Sequence, residues 1–319
     1  MKKNVLLLET IADEALDYLN KHVNVFTAYD EPSLKAAQDT EEIHAIITRG
    51  KGQINKALLE AFPAVKVVAR CGVGLDNVDV NEATARNIMV INAPGSNAAT
   101  IAEHTLSLML MLMRNMYESA RQVKQGKWNW RNQYSGDELN GKTLGVIGMG
   151  NIGQRVAKLG AAFGMNVVYW SRSEKDATAS LLTMDELLRQ SDVISLHLPL
   201  TPETEQLIGA DQIELMKQGS LLINTARAAL IDHELLLKAL NDGKIAGFAA
   251  DVLPEEPPHK DDPILDHPKT IITPHSGSLT AATYRKMCCL TVQNVVAVLT
   301  GNEPDLNSIF NRSDLQKNQ

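Results

Sequence analysis

The chain has 319 residues, 44% of them hydrophobic and 22% charged, and its 31 basic and 38 acidic side chains give a formal net charge of −7. This length suggests about two domains of ordinary globular composition, and the acidic balance argues against general binding to nucleic acid or to anionic membrane surfaces. No apolar run approaches a membrane span, Val5 to Leu8 is too short for a signal-peptide core, and Cys71, Cys288 and Cys289 suit neither a metal cage nor a staple, so a cytoplasmic protein without a metal site is expected.

The first part of the chain alternates strands with helices. Val5 to Leu8, Val23 to Thr27, Ala45 to Thr48, Val65 to Ala69 and Ile88 to Asn92 read as strands. Ile11, Ala15, Leu16 and Leu19 repeat at helical spacing, and Lys56 to Ala61 and Val80 to Arg86 read as further helices. Such alternation predicts a parallel sheet covered on both faces, in a flavodoxin-like domain. Two polar, glycine-rich turns follow its strands, Arg70 to Asp79 and Ala93 to Asn97. Ligands of open α/β sheets bind outside such strand ends, where backbone N–H groups can meet an anion. A plain turn is the equal alternative for Gly72 and Gly74.

Thr100 to about Gln125 reads as one long helix ended by Gly126, with Met109, Met111, Met113 and Met116 assigned to adaptable core. Trp128, Trp130 and Tyr134 follow in a polar stretch. They either face a second subunit or fold back onto their own domain.

Leu144 to Arg172 reads as strand, glycine turn, helix and second strand. Gly148, Gly150 and Gly153 fit G-x-G-x-x-G: one glycine for the tight turn, one for the approach of a pyrophosphate, one for close helix–strand packing. The phosphates are expected on the helix N-terminus, at Gly150, Asn151, Ile152 and Gly153, where unpaired N–H groups and the dipole favour an anion. Further strands follow at Val193 to Leu196, Ser220 to Asn224, Ala246 to Ala250 and Ile271 to Thr273. A helix from Asp232 to Asp242 has Asp232 as its cap and Gly243 after its end. Pro254 to Pro258 is a stiff loop, and a last helix from about Leu279 to Leu299 returns to the first domain.

Arg227, Glu256 and His275 follow successive strands of this second domain, so they can converge on one cleft. Hydride transfer to a 2-oxo acid needs a cation for the carboxylate and carbonyl, a proton donor near neutral pH, and a group that favours the protonated donor. Arg227 suits the first with its fixed fork of donors, His275 the second, and a carboxylate at Glu256 the third. Individually, Arg227 could instead neutralise a cofactor phosphate, Glu256 could be a solvated loop charge, and His275 a structural histidine.

The ordered set Arg70–Asp79, Pro94–His104, Leu139–Gly153, Asn224–Arg227, Asp251–Pro257 and Pro274–Gly277 resembles the D-isomer-specific 2-hydroxyacid dehydrogenase family, over about Val65 to Ser278. The family includes phosphoglycerate dehydrogenase, glycerate dehydrogenase and glyoxylate/hydroxypyruvate reductase. The resemblance implies an α/β protein with two parallel-sheet domains: a flavodoxin-like substrate domain over 1–99 plus 279–319, and a Rossmann cofactor domain over 100–278. It implies Arg227 as substrate clamp, His275 as acid/base, Glu256 as its partner, and the backbone N–H groups of Val73 and Gly74 as donors to the substrate carboxylate. Thr100, Pro199, Thr225, Ala226, Arg227, Asp251, His275 and Gly277 are expected along the cofactor beside the glycine motif. A homodimer built on the long helix and its aromatic arm is implied, acting on a small 2-oxo or 2-hydroxy acid and binding neither nucleic acid nor membrane.

The chain departs from the family at three places. Ser171 and Arg172 stand where an aspartate usually receives the cofactor ribose, and no carboxylate occurs in that turn until Glu174. NADP(H) is therefore expected in preference to NAD(H), with Lys175 adding to the positive field. Ala228 replaces a glycine common after the arginine, and the regulatory extension of some phosphoglycerate dehydrogenases is expected to be missing. The expected activity is reduction of glyoxylate or hydroxypyruvate to the D-2-hydroxy acid, or the reverse oxidation. The alternatives are a phosphoglycerate dehydrogenase and a cofactor-sensing corepressor of the same fold.

Overall fold

A computed structural model describes residues 2–40, 42–175 and 179–317. The chain divides into two compact units, Met1–Asn97 with Leu279–Gln319, and Ala98–Ser278. The first crossing lies two residues before the boundary read from the sequence; Met1 and Gln319, the outer limits of that reading, lie outside the described residues.

The first unit begins with β1 (Asn4–Leu7), α1 (Asp13–His22), β2 (Asn24–Thr27), α2 (Glu31–Thr40), β3 (Ala45–Thr48), α3 (Lys56–Ala61), β4 (Val67–Arg70), α4 (Val80–Ala85) and β5 (Met89–Ile91). All strands pair in parallel, in the order β2-β1-β3-β4-β5, which is the flavodoxin order. The strands are short apolar runs: every residue of β3 is buried. Helix α2 was not expected from the sequence. Its inward residues are few, Ala37 buried and Leu34 partly so, which leaves no clear apolar stripe; the local signal is Asp30, whose carboxylate accepts from Ser33 N at 2.9 Å as a cap would.

The second unit runs through α5 (Ala98–Met113), α6 (Met116–Lys124), β6 (Thr143–Ile147), α7 (Asn151–Ala162), β7 (Asn166–Trp170), β8 (Ser180–Leu181), α8 (Met184–Gln190), β9 (Val193–Leu196), α9 (Ala210–Leu215), β10 (Ser220–Asn224), α10 (His233–Asn241), β11 (Ile245–Ala250), α11 (Pro263–Asp266) and β12 (Thr270–Ile272). Seven parallel strands lie in the order β12-β11-β10-β9-β6-β7-β8. The order reverses at β6, as in a Rossmann sheet. One core packs on each face: Phe248, Leu222 and Ile194 belong to one, Met109, Val146 and Tyr169 to the other. The chain then returns to the first unit as α12 (Ala281–Thr300), which packs on α1 and β4, and α13 (Arg312–Lys317). No helix among the described residues is long and apolar enough to cross a membrane.

The long helix expected from Thr100 to Gln125 is broken. Asn115 adopts φ 47°, ψ 38° between α5 and α6, and asparagine is among the residues that tolerate this left-handed geometry. The break also corrects the methionine assignment. Met109 is buried in the core, but Met116, beyond Asn115, is 53% exposed. The aromatic arm forms a short 3₁₀ turn over Trp128–Gln133. Trp130 meets Tyr134 edge to face, the Tyr134 hydroxyl donates to Arg114 O at 2.7 Å, and Trp128 stands in solvent.

Candidate active site

Because the seven strands are parallel, their C-terminal ends share one edge of the sheet, and the loops leaving β6, β7, β9, β10, β11 and β12 all emerge there. After β6, Gly148 turns with φ 99°, a conformation that suits glycine. A Cβ there would come within 2.5 Å of the His197 carbonyl oxygen, and one at Gly153 would collide with the Gly148 oxygen. A Cβ at Gly150 would meet nothing within 4 Å. The first and third glycines thus serve close packing, and the second leaves an open face. Gly150 is also the N-cap of α7 with no side-chain cap, so the N–H groups of Asn151 and Ile152 begin a helix whose amide donors lack a capping acceptor. An uncapped helix start under a side-chain-free approach fits the pyrophosphate of a dinucleotide.

The next strand leads to the turn expected to meet the ribose. Arg172 and Ser173 are exposed and Ser171 is half-buried. Arg172 contributes, after the Thr201 hydroxyl, to holding the Glu203 carboxyl below its ordinary range. Underneath, the buried Tyr169 hydroxyl accepts from Lys175 N at 3.0 Å and donates to Lys175 O at 3.1 Å, closing the turn from inside. After β9, the His197 imidazole lies 2.8 Å from the Ser195 hydroxyl. Burial lowers its pKa to about 3, so the ring is neutral. Pro199 follows, exposed, its carbonyl accepting from Thr204.

After β10, Asn224 clamps the next loop: its side chain donates to Arg227 O at 2.8 Å and accepts from Ala226 N at 3.0 Å. Thr225 meets the Thr105 hydroxyl of α5 at 2.8 Å. Arg227 is half-buried, and its guanidinium donates to Ala226 O at 2.7 Å. Ala228 is buried.

His275 and Glu256 come together directly, His275 Nδ1 lying 2.7 Å from Glu256 Oε2. The other Glu256 oxygen accepts from Leu253 N at 3.1 Å, fixing the carboxylate against its own loop. His275 itself has φ 50°, uncommon for a residue with a side chain. Its neighbours are held by Asp251, at the end of β11: Ser276 N and Gly277 N donate to the two carboxylate oxygens at 2.9 and 2.7 Å. Burial pushes the Asp251 carboxyl up, but hydrogen bonds from His104, Thr273, Gly277 and Ser276 outweigh it and hold it below the usual carboxylate range.

In the first unit, the loop after β4 turns back on itself. Arg70 donates to Arg49 O at 2.7 Å and to Gly74 O, and Asn92 donates to Val73 O at 2.7 Å. The carbonyls of Val73 and Gly74 are therefore taken, whereas among the described residues no acceptor pairs with their N–H groups. Thr100 lies in the first turns of α5, half-buried. His104, Thr273 and His197 were missed as site residues by the sequence reading. His104 sits in a segment that carries the family resemblance, but its partners come from strands far along the chain, and no local pattern signals them.

Residues 106–277 match the family model for the D-isomer specific 2-hydroxyacid dehydrogenase, NAD binding domain. The chain is 38% identical over 321 residues to the glyoxylate reductase of Aeropyrum pernix, covering 95% of each protein. It is also 38% identical to the D-3-phosphoglycerate dehydrogenase of Archaeoglobus fulgidus, covering 93% of this chain and 57% of that one. Among solved structures, the TT0316 protein of Thermus thermophilus superposes with a TM-score of 0.88 at 38% identity, covering 95% of this chain and 98% of that chain.

Asp251 generates a stability prediction. A carboxyl held low in the folded protein stabilises it above the unfolded pKa of about 3.9, and this contribution is lost as pH falls through the folded value. Asp251→Asn should be less stable than the parent near neutrality, with the gap closing as pH falls below about 4. Urea unfolding from pH 7 to 3 measures this, and a gap that stays constant with pH would contradict it.

Proposed function

The chain belongs to the D-isomer-specific 2-hydroxyacid dehydrogenase family, and from that footing we propose that it reduces a small 2-oxo acid, glyoxylate to glycolate or hydroxypyruvate to the D-2-hydroxy acid. The observation that carries the residue assignment is the 2.7 Å contact of His275 with Glu256, on the sheet edge that also bears Arg227 and the glycine motif. Once held there, a reduced nicotinamide would supply the hydride for the carbonyl carbon. Arg227 holds the carboxylate and polarises the carbonyl with its planar fork of donors. Glu256 engages Nδ1 of His275, so Nε2 is the nitrogen that delivers a proton to the carbonyl oxygen. Oxidation of the hydroxy acid reverses these roles. For Val73 and Gly74 we propose the donor role toward the substrate carboxylate, supported by N–H groups that have no acceptor among the described residues.

The cofactor surface is proposed to comprise Gly148, Gly150, Asn151, Ile152 and Gly153 at the pyrophosphate, Ser171 and Arg172 at the ribose, and Thr100, Pro199, Thr225, Ala226, Asp251 and Gly277 beyond. NADP(H) is preferred, because the exposed turn after β7 offers hydroxyls and a guanidinium to a 2′-phosphate before any carboxylate. A homodimer is proposed on the exposed apolar side chains Met116, Tyr117 and Val123 of α6 and Trp128 of the following turn, since exposed apolar surface of this kind marks interfaces.

Three measurements test these readings. His275→Ala should cost about 10²- to 10⁴-fold in kcat with glyoxylate or hydroxypyruvate; near-normal turnover would remove the histidine from its role. The wild type should show higher kcat/KM with NADPH than with NADH, and Ser171→Asp/Arg172→Ala should reverse the order. Better use of NADH by the wild type would defeat the preference, and an unaltered ratio in the double variant would clear these two residues of it. Light scattering at micromolar concentration should give twice the subunit mass, and the mass of one subunit would exclude the dimer.

A further inference from the structure

We propose that His104 is a positioning residue for His275, acting through the Thr273 hydroxyl and the Asp251 carboxylate. The inference rests on the hydride-transfer reading of His275 given above. His104 projects from α5, on a different element from every other residue of the His275 loop. Its Nε2 lies 3.0 Å from Thr273 Oγ1 and 3.5 Å from Asp251 Oδ1. Thr273 Oγ1 in turn donates to Asp251 Oδ1 at 2.5 Å. A hydroxyl has one proton, so once it is given to the carboxylate the oxygen can only accept from His104. The direction of the chain is thereby set: His104 N–H to Thr273 hydroxyl, Thr273 hydroxyl to Asp251, with Ser276 N and Gly277 N on the same carboxylate.

Those last two donors follow His275 directly, and His275 N donates back to Thr273 O at 2.9 Å. The left-handed backbone of His275 is thus enclosed between Thr273 on one side and the two amides on the other. Such a conformation is unfavourable for a residue with a side chain and persists only where its surroundings over-determine it. A Cβ on Gly277 would stand 2.7 Å from Asp251 Oδ2 and 3.3 Å from the His104 ring, so the loop also packs closely against this pair. His104 is the outermost member, the group that turns Thr273 toward Asp251 rather than letting its hydroxyl rotate away.

The test uses the intact enzyme with saturating cofactor. His104→Leu removes the donor, whereas His104→Gln keeps an N–H at similar reach. We expect His104→Leu to lose about ten- to a hundredfold in kcat, the scale of a misplaced reacting group, with the Kd for reduced cofactor and the Tm little changed. His104→Gln should recover most of the loss. In a His275→Ala background, His104→Leu should cost nothing further, because a residue that acts through another is non-additive with it. Thr273→Val removes the bridging hydroxyl at constant shape and should give the same pattern, and it replaces His104→Leu should that variant fail to fold. Equal damage in the Leu and Gln variants, an unchanged kcat, or a full additional loss without His275 would overturn the proposal. If His275→Ala itself retains activity, the hydride-transfer reading fails first and the proposal with it.

Discussion

Parallel pairing is the constraint on which the second unit depends. A parallel neighbour can be reached only by a crossover that returns along a face of the sheet, so each strand runs the same way and delivers its C-terminal residues to the same edge. Its price in composition is that the central strands are buried on both faces: every residue of β9 and β10 lies inside. Polar groups are then carried mainly by the loops, although Ser195, Ser220 and Asn224 remain inside. Asn224 is the clearest instance, fully buried at the end of β10 yet bonded through both ends of its amide to the loop that carries Arg227. One residue both closes the core and aims the guanidinium's loop.

On that edge two different forces fix the geometry. At the glycine turn the constraint is steric: the His197 and Gly148 carbonyls leave no room for a side chain at Gly148 or Gly153. Around His275 the constraint is electrostatic, an anionic carboxylate gathering hydroxyl and amide donors from the loop after β12. Steric exclusion is indifferent to pH, whereas the second arrangement depends on Asp251 staying ionised. The glycine-turn and His275 halves of the edge are therefore held by separate means.

Much of this was legible in the residues. Strands β3, β9 and β10 and helix α3 fall at the limits read from apolar runs, because short buried strands bounded by turn residues leave a strong local mark. The G-x-G-x-x-G motif and Arg227, Glu256 and His275 could be located at loops because each follows a strand. Helix α8 was overlooked although Thr183 and Glu186 form a capping box at its start, a signal that the three-residue spacing makes readable. The break at Asn115 and the exposure of Met116 were not legible, since the residues on both sides are good helix formers and only the folded path shows the turn. The pairing of His104 with Thr273 and Asp251 joins residues 169 and 147 positions apart by sequence number, a distance over which periodicity carries nothing.

The Tyr169 hydroxyl, which holds both backbone groups of Lys175, bears on how such a protein can change over time. The turn from Ser171 to Glu174 is anchored from the core side by a residue that belongs to β7 and never reaches the surface. Its outward side chains are thus relieved of any duty in shaping the turn. Substitutions there alter the surface presented to solvent while the backbone keeps its course. This makes the segment a replaceable cassette, one in which drift and selection can explore new chemistry at small cost to the fold.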